Sequence, residues 1–448
     1  MTETVSPARV AAARVLERVI ADTAFADLAL EAELERARLS PRDRALATEL
    51  VYGTLRWQRY LDWVLAPHSN RRLDALDPRP LVLLRMAAYQ IVFLERVPAF
   101  AAVNDAVTLS RRRAKPGVAS FVNAVLRAFS RRGVAEREPS PPPDRAEALG
   151  LRCSFPTWLA RRWMTRWGAA EAETLMRALN ERPPLTLRAN TLRTTRDALI
   201  ARLAHEETIA ARATLYAPEG LVAEHGGSPS GWRAFGAGEF AVQDEASMLV
   251  ARLLGPQPGH VVADVCAAPG TKTGHLAQLM ANRGRVLAFD PQPARLKLVA
   301  EMAGRLGIHI VETFEGAVEH LAGRFPAVCD AVLVDAPCSN LGVVRRNPEV
   351  KWRRHPHDLS ANAARQRAIV AAAAGLVKAG GRLVYATCSL EPEENDEVVR
   401  DFLGRDSRFA LDAPADFPIA LDPDGVLRCL PHRHGTDGFT AIRLRRRL

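Results

Sequence analysis

Cysteine is scarce in this chain and lysine scarcer: six cysteines and five lysines stand among 448 residues. No two cysteines make a Cys-x-x-Cys pair, so neither a zinc site nor a disulfide framework is expected, and a reducing compartment would keep them as thiols. A run of membrane length is also missing. The longest candidate, LVLLRMAAYQIVFL from Leu81 to Leu94, is shorter than the ~20 residues a span needs and is broken by Arg85 and Gln90. It reads as a buried helix. The opening MTETVSPARV lacks the charged region, apolar core and cleavage site of a secretory signal, so a cytoplasmic protein is expected. Internal repeats are absent.

Size and charge are there in quantity. The length implies two or three domains, and 48% apolar residues suffice for their cores. The net charge of +10 favours a polyanionic partner. Residues 1–140 hold 22 basic against 16 acidic residues, more than half of the excess. Arginine dominates the basic set, which composition bias alone can produce.

Periodicity divides the chain. Residues 1–138 read as helices, with apolar positions at helical spacing in VAAARVLERVIADTAF, RALATELVYGTLRWQRYLDWVL and VASFVNAVLRAFSRRG, the last stopping at Gly133. A proline-rich linker is expected over 139–150, around EREPSPPPDR (Glu136 to Arg145). Residues 151–250 mix the helix-like PTWLARRWMTRWG with the strand-like LTLRAN and EFAVQD, as a small α+β domain would. Over 251–448 the short apolar runs HVVADVCA, GRVLAFD, IHIVETF, AVLVDA and GRLVYATCS alternate with helical segments, which predicts a doubly wound parallel sheet. Ligands bind beyond the carboxyl ends of such strands. Asp264, Asp290, Asp335 and Cys388 all lie at or near those ends.

The first strand runs into DVCAAPGTKTGHLA, whose small residues and Pro-Gly turn before a helix would offer backbone N–H groups to an anionic group. It is neither a P-loop, since Thr271 and Cys266 stand where glycines belong, nor GxGxxG. Read alone, it is a ligand loop or merely a tight turn. Asp290 follows Gly270 by 20 residues, where an acid reaches ribose hydroxyls in nucleotide-binding sheets; it could equally cap a helix. Cys338, in DAPCSNLGVVRRNPEVKW, and Cys388, in YATCSLEPEEN, each end an apolar run and precede a serine. They read as two buried small residues or as two thiols sharing one reaction, for which Arg345, Arg346, Lys351, Arg353 and Arg354 could supply positive charge. Cys153, Cys329 and Cys429, without a motif, read as core.

DVCAAPGTKTGHLAQ, VLVDAPCSNLGVVRRNPEVKW and LVYATCSLEPEEN closely resemble the motifs of the NOL/NOP2/Sun family of RNA cytosine-5 methyltransferases. RDRALATELVYGTLR and FVNAVLRAFSRRG resemble the NusB-like RNA-binding domain fused to the members that act on bacterial small-subunit (16S) ribosomal RNA; with LTLRANTLR and GEFAVQDEASML the resemblance covers nearly the whole chain. It implies an all-α NusB-like domain, an α+β middle domain and a Rossmann-like catalytic domain that uses S-adenosylmethionine. Cys388 is implied to add to C6 of the target cytosine, making C5 nucleophilic toward the methyl group. Cys338 is implied to help release the product, and Asp335 to bond the cytosine edge and favour protonation at N3. The cofactor contacts it implies are Cys266, Ala267, Ala268, Pro269, Gly270, Thr271 and Lys272 at the methionine end, with Asp290 on the ribose and Asp335 nearby. Two positions depart from the pattern. Thr271 replaces a glycine, and TFEGAV stands where relatives carry Gly-Asp, so that either Glu315 replaces the adenine-end acid with a longer arm or that contact is lost.

The expected partner is ribosomal RNA, naked or partly assembled, bound by a monomer without metal or membrane. Arg111 to Arg113, Arg131 and Arg132 are expected on backbone phosphates, and RRNPEVKWRR near RNA, with Trp352 either stacking on a base or packing inward. Methylation of transfer RNA or of a protein, and a non-catalytic assembly factor, are the rival readings.

Overall fold

The computed structural model describes residues 5–111, 116–131, 138–224 and 227–448; Arg112, Arg113, Arg132 and Gly133 lie outside these. The chain forms two compact units, Met1–Glu181 with Val344–Arg353, and Arg182–Val343 with Arg354–Leu448.

Among its described residues the first unit has helices and no strand. Pro41–Leu65 starts as its sequence directs, with proline in the first turn and the Ser40 hydroxyl accepting from the Asp43 N–H at 3.2 Å. Gly53 sits in this helix because a Cβ there would lie 2.0 Å from the Tyr89 ring. Tyr89 belongs to Pro78–Phe93, the segment read as a buried helix, and it is one. Its two polar interruptions are partnered: Arg85 Nη2 meets Asp62 at 2.6 Å and Gln90 accepts from Arg9 Nε at 2.7 Å. No helix among the described residues is long and apolar enough to cross a membrane. Arg145–Arg152, at the end of the expected linker, is helical, and Thr157–Trp167 and Ala169–Asn180, expected in the middle segment, belong to this helical unit.

The inserted residues 344–353 correct one expectation. Lys351 is fully buried. Its Nζ donates to Arg56 O and Asn180 Oδ1, both at 2.9 Å, and stands 3.9 Å from the centre of the Phe155 ring. Burial pulls its pKa well below the usual lysine range, with the Arg56 charge adding to the effect. Trp352 Nε1 donates to Leu55 O at 2.7 Å, so it packs inward, and Arg353 donates to Ala24 O and Val19 O. Lys351 is an internal support of the helical unit and is not displayed to RNA, while Trp352 and Arg353 are half-buried and tied to backbone carbonyls.

The second unit holds two sheets. Strands β1 (Leu185–Ala189), β2 (Ala210–Ala213), β3 (Gly220–Glu224) and β4 (Phe240–Val242) make an antiparallel sheet in the order β2-β3-β1-β4. Leu187, Leu221 and Phe240 of this sheet share a core with Leu199 and Leu203 of helix Arg196–Glu206. The larger sheet contains β5 (Val261–Asp264), β6 (Arg285–Asp290), β7 (Val311–Glu315), β8 (Cys329–Asp335) and β9 (Val377–Thr387), parallel in the order β9-β8-β5-β6-β7. These are the five expected runs. Three further strands, β10 (Phe409–Leu411), β11 (Leu427–Cys429) and β12 (Phe439–Arg446), were not foreseen; β12 lies antiparallel between β9 and β10. The chain reverses its direction of travel across the sheet between β5 and β8, which places a crevice at the carboxyl ends of those two strands.

Candidate active site

Each parallel strand ends in a polar residue or runs into one. Asp264 ends β5, Asp290 ends β6, Glu315 ends β7, Asp335 ends β8, and Cys388 follows β9. Asp290 and Glu315 are register partners; Asp290 is buried and Glu315 exposed. Asp290 Oδ1 accepts from the Gln292 N–H at 3.0 Å, and Oδ2 lies 3.7 Å from Arg295.

The loop from Cys266 through Ala267, Ala268 and Pro269 to Gly270 leads into helix Thr271–Leu279. Gly270 has φ +106°, and a Cβ there would stand 3.0 Å from Val299 Cα, so no other residue fits without displacing backbone. Thr273 Oγ1 donates to Asp264 Oδ2 at 2.8 Å. Asp264 Oδ1 is buried and has no hydrogen-bond partner. Burial and the neighbouring Asp335 charge push the Asp264 carboxyl up to about 7, against the Thr273 hydrogen bond and the Lys272 charge. The Cys266 thiol is likewise pushed well up, by burial and by Asp264, Asp335 and Asp290. It is therefore a poor nucleophile.

Across the crevice Lys272 Nζ donates to Asp335 Oδ2 at 2.7 Å. Burial opposes the Lys272 charge, but Asp335, Cys388 and Asp264 together hold its pKa above the usual value. Lys272 is thus electrostatically coupled to Cys388 as well as paired with Asp335. Of the basic residues expected near the thiols, Lys351 and Arg353 are engaged inside the helical unit, whereas Arg354 Nε donates to Ser339 O, next to Cys338, at 2.9 Å.

The sulfurs of Cys338 and Cys388 are 3.3 Å apart, and both cysteines are free. Asn340 Oδ1 accepts from Cys388 at 3.0 Å and from Cys338 at 3.5 Å. Cys338 is pushed well above the ordinary thiol range by its hydrogen bond to Cys388, by burial and by the charges of Cys388 and Glu394. Of the pair, Cys338 is built to keep its proton. Cys153, Cys329 and Cys429 are buried, as core cysteines are.

Comparison with known proteins matches this geometry to a family. Residues 251–445 match the family model of 16S rRNA methyltransferase RsmB/F, residues 6–131 that of the NusB family, and residues 155–228 a ferredoxin-like domain of RsmF/B-like methyltransferases. A Bacillus subtilis protein named "Probable ribosomal RNA small subunit methyltransferase B" is 38% identical over 95% of both chains. The chain belongs to the RsmB/F methyltransferase family. The solved structure titled PH0851 shares this fold over 98% of this chain and 99% of its own, at 29% identity and a TM-score of 0.84. NSun6 from Pyrococcus horikoshii, solved with SFG, is 27% identical over 65% of this chain and 98% of its own, with a TM-score of 0.60. As an RsmB/F member the chain is a methyltransferase with a NusB-like helical domain, a ferredoxin-like middle domain and a Rossmann-like catalytic domain.

In this RsmB/F site several residues matter that sequence reasoning did not single out. Asn340 stands between the two thiols with φ +62°, a backbone conformation asparagine tolerates better than most residues. Arg188, on β1, is fully buried; it donates to Thr271 O at 2.8 Å and to Gln278 Oε1 at 2.6 Å, holding the glycine-turn helix from behind. Its burial pushes its pKa down to about 9. Gly342 N donates to Cys388 O at 2.8 Å and Gly342 O accepts from Gly438 N at 2.9 Å, joining three segments through one glycine. Among the described residues no group of His, Cys, Asp and Glu could hold a metal.

Proposed function

We propose that the chain transfers the methyl group of S-adenosylmethionine to C5 of a cytosine in small-subunit (16S) ribosomal RNA, through a covalent bond between Cys388 and C6. The observation that carries this is the pair of free thiols 3.3 Å apart beside the Lys272–Asp335 ion pair, at neighbouring strand ends. The name of the Bacillus subtilis relative supports ribosomal RNA as the substrate, and the basic charge agrees with it. Such a substrate places the enzyme in the cytoplasm, where ribosomes assemble.

Cytosine is unreactive at C5 until C6 is occupied. Cys388, at the strand end next to the Lys272–Asp335 ion pair, adds to C6. Asp335, held by Lys272, bonds the cytosine edge and favours protonation at N3. In the release step water takes the C5 proton, the C6–S bond breaks, and Cys338, which keeps its proton, is placed to give it to the departing Cys388 sulfur 3.3 Å away. The base must leave its stack to reach these residues.

The residues around the glycine turn fit the cofactor. The unpartnered Asp264 Oδ1 suits the ammonium of its methionine end, Gly270 leaves the helix N-terminus open, and Asp290 suits the ribose hydroxyls. Residues 266–272 form the methionine-end cradle, with Glu315 assigned to the adenine end. When bound, the cofactor supplies an electrophilic methyl group. The test is transfer of labelled methyl to unmodified small-subunit ribosomal RNA, with the product base identified. Label on C5 of cytosine supports the proposal, and its absence from cytosine overturns it.

The Asp264 assignment predicts a pH dependence. Its folded pKa of about 7 exceeds the usual 3.8, so the free protein binds a proton more tightly folded than unfolded. The stability this contributes is full below the unfolded value and is lost as pH rises through about 7. A cationic ligand favours the ionised form and reverses the preference. Affinity for S-adenosylmethionine is expected to tighten about tenfold from roughly pH 6 to pH 8, measured by calorimetry, and Asp264→Asn is expected to remove that slope.

A further inference from the structure

The serine after each cysteine has a partner that the proposed reaction does not use. Ser339 and Ser389 are fully buried and their hydroxyls are 3.1 Å apart, beside thiols 3.3 Å apart. Successive side chains of an extended segment point to opposite sides. With the cysteines toward the crevice, the serines turn inward, where a hydroxyl needs a hydrogen-bond partner. Both donate to Oε2 of Glu394, itself fully buried. Glu394 Oε1 accepts from Ser339 N at 2.8 Å, Asn362 Nδ2 at 2.9 Å and Gln366 Nε2 at 3.4 Å. Asn362 and Gln366 lie one turn apart on helix Pro356–Ala374, and Gln366 Nε2 also reaches Pro337 O at 3.0 Å. One carboxylate therefore ties both Cys-Ser steps to one rigid helix.

We infer that Glu394 is a positioning residue that sets the separation and facing of the two thiols through Ser339 and Ser389. The inference rests on the reading of Cys388 and Cys338 as the reacting pair. Adjacency of the two segments does not need Glu394, because Gly342 N already bonds Cys388 O, and Ala336 N bonds Ala386 O at 2.8 Å. What the carboxylate adds is alignment of the residues beyond the strand ends. Its charge also helps keep the proton on Cys338, so its loss changes proton transfer as well as geometry.

The test uses the full chain with Glu394→Gln, which keeps the volume and removes the charge, and the Ser339→Ala/Ser389→Ala double variant, which leaves Glu394 and its bond from the residue 339 N–H but removes both hydroxyl links. Methyl transfer to RNA, S-adenosylmethionine affinity and the pH profile of kcat are measured. In parallel, the rate at which diamide joins Cys338 to Cys388 is followed by mass spectrometry; diamide takes up the two electrons and two protons as the S–S bond forms. Both variants are expected to lose at least tenfold in kcat, with KM for RNA and cofactor affinity within about threefold of wild type. The limb of the pH profile that reports Cys338 is expected at lower pH in Glu394→Gln, and disulfide formation is expected to change at least fivefold in both. A kcat within twofold of wild type in the folded variants, or a loss matched by an equal loss of cofactor affinity, overturns the inference. Should one variant fail to fold, the other decides. If wild type transfers no methyl to cytosine, the proposed function fails by itself, and the disulfide rate alone then decides on Glu394: an unchanged rate overturns its role.

Discussion

Cys388→Ala is expected to abolish methyl transfer, by roughly 10⁴-fold or more, as removal of a nucleophile does, whereas Cys338→Ala is expected to accumulate protein covalently bound to RNA. The asymmetry comes from the environments of two chemically identical side chains. Cys388 is electrostatically coupled to Lys272, while Cys338 is driven to its protonated form by Cys388, burial and Glu394. A protonated thiol is a weak nucleophile but an available acid. Denaturing electrophoresis with labelled RNA separates the two outcomes. An adduct that requires Cys338 exchanges the roles, and an active Cys388→Ala enzyme removes the covalent step from the mechanism.

Gly342→Ala is expected to be severely damaging, because the added methyl group falls beside the thiols. Its Cβ would lie 2.2 Å from Gly438 O and 2.8 Å from Cys388 O, and both contacts are backbone, which cannot rotate away. Relief requires breaking the Gly342–Cys388 and Gly438–Gly342 hydrogen bonds together. The cost is about 3 kcal/mol or more, and the distortion falls on the nucleophile's own carbonyl, so transfer is expected to be lost even where the protein folds. Thermal unfolding and transfer assays check both. Gly404 supplies the contrast: it lies in the last turn of helix Asp396–Arg405 with open space around its Cβ position, so Gly404→Ala is expected to stabilise by up to about 1 kcal/mol.

How far such features could be read in advance depended on whether their cause was local. The five parallel strands were legible because each is a short apolar run closed by a polar residue, and a polar residue at the end of a buried strand faces the crevice by topology alone. Asp335, Cys338 and Cys388 were visible for that reason. Strand β12 was not. Its stretch FTAIRLRRR carries an arginine-rich end that resembles a solvated tail, and only pairing with β9 shows its first half to be buried. Glu394 was hidden in EPEEN, since its importance comes from partners 55 and 32 residues away. Asn340 and Gly342 were quoted within a motif, yet nothing local distinguishes them from an ordinary turn. Within the basic segment RRNPEVKWRR, Lys351 was misplaced for the opposite reason. A cluster of charges has the same appearance in sequence whether it faces solvent or, like Lys351, is covered and satisfied by carbonyls about 295 and 171 residues distant.

That buried segment also bears on how the protein is made. Residues 344–353 complete a helical unit whose other residues end at Glu181. During synthesis the helices emerge first, but the ribosome must translate the whole stretch from 182 to 343 before Lys351 exists to fill its place. At ~5–20 residues per second this leaves the nascent unit unfinished for ~10–30 s. A chain truncated before Val344 would carry Phe155 and the Arg56 and Asn180 acceptors without the Lys351 side chain that joins them. A nascent-chain protease-protection experiment would therefore show the N-terminal unit becoming resistant late, when the middle of the catalytic unit leaves the exit tunnel, and not when its own last helix does.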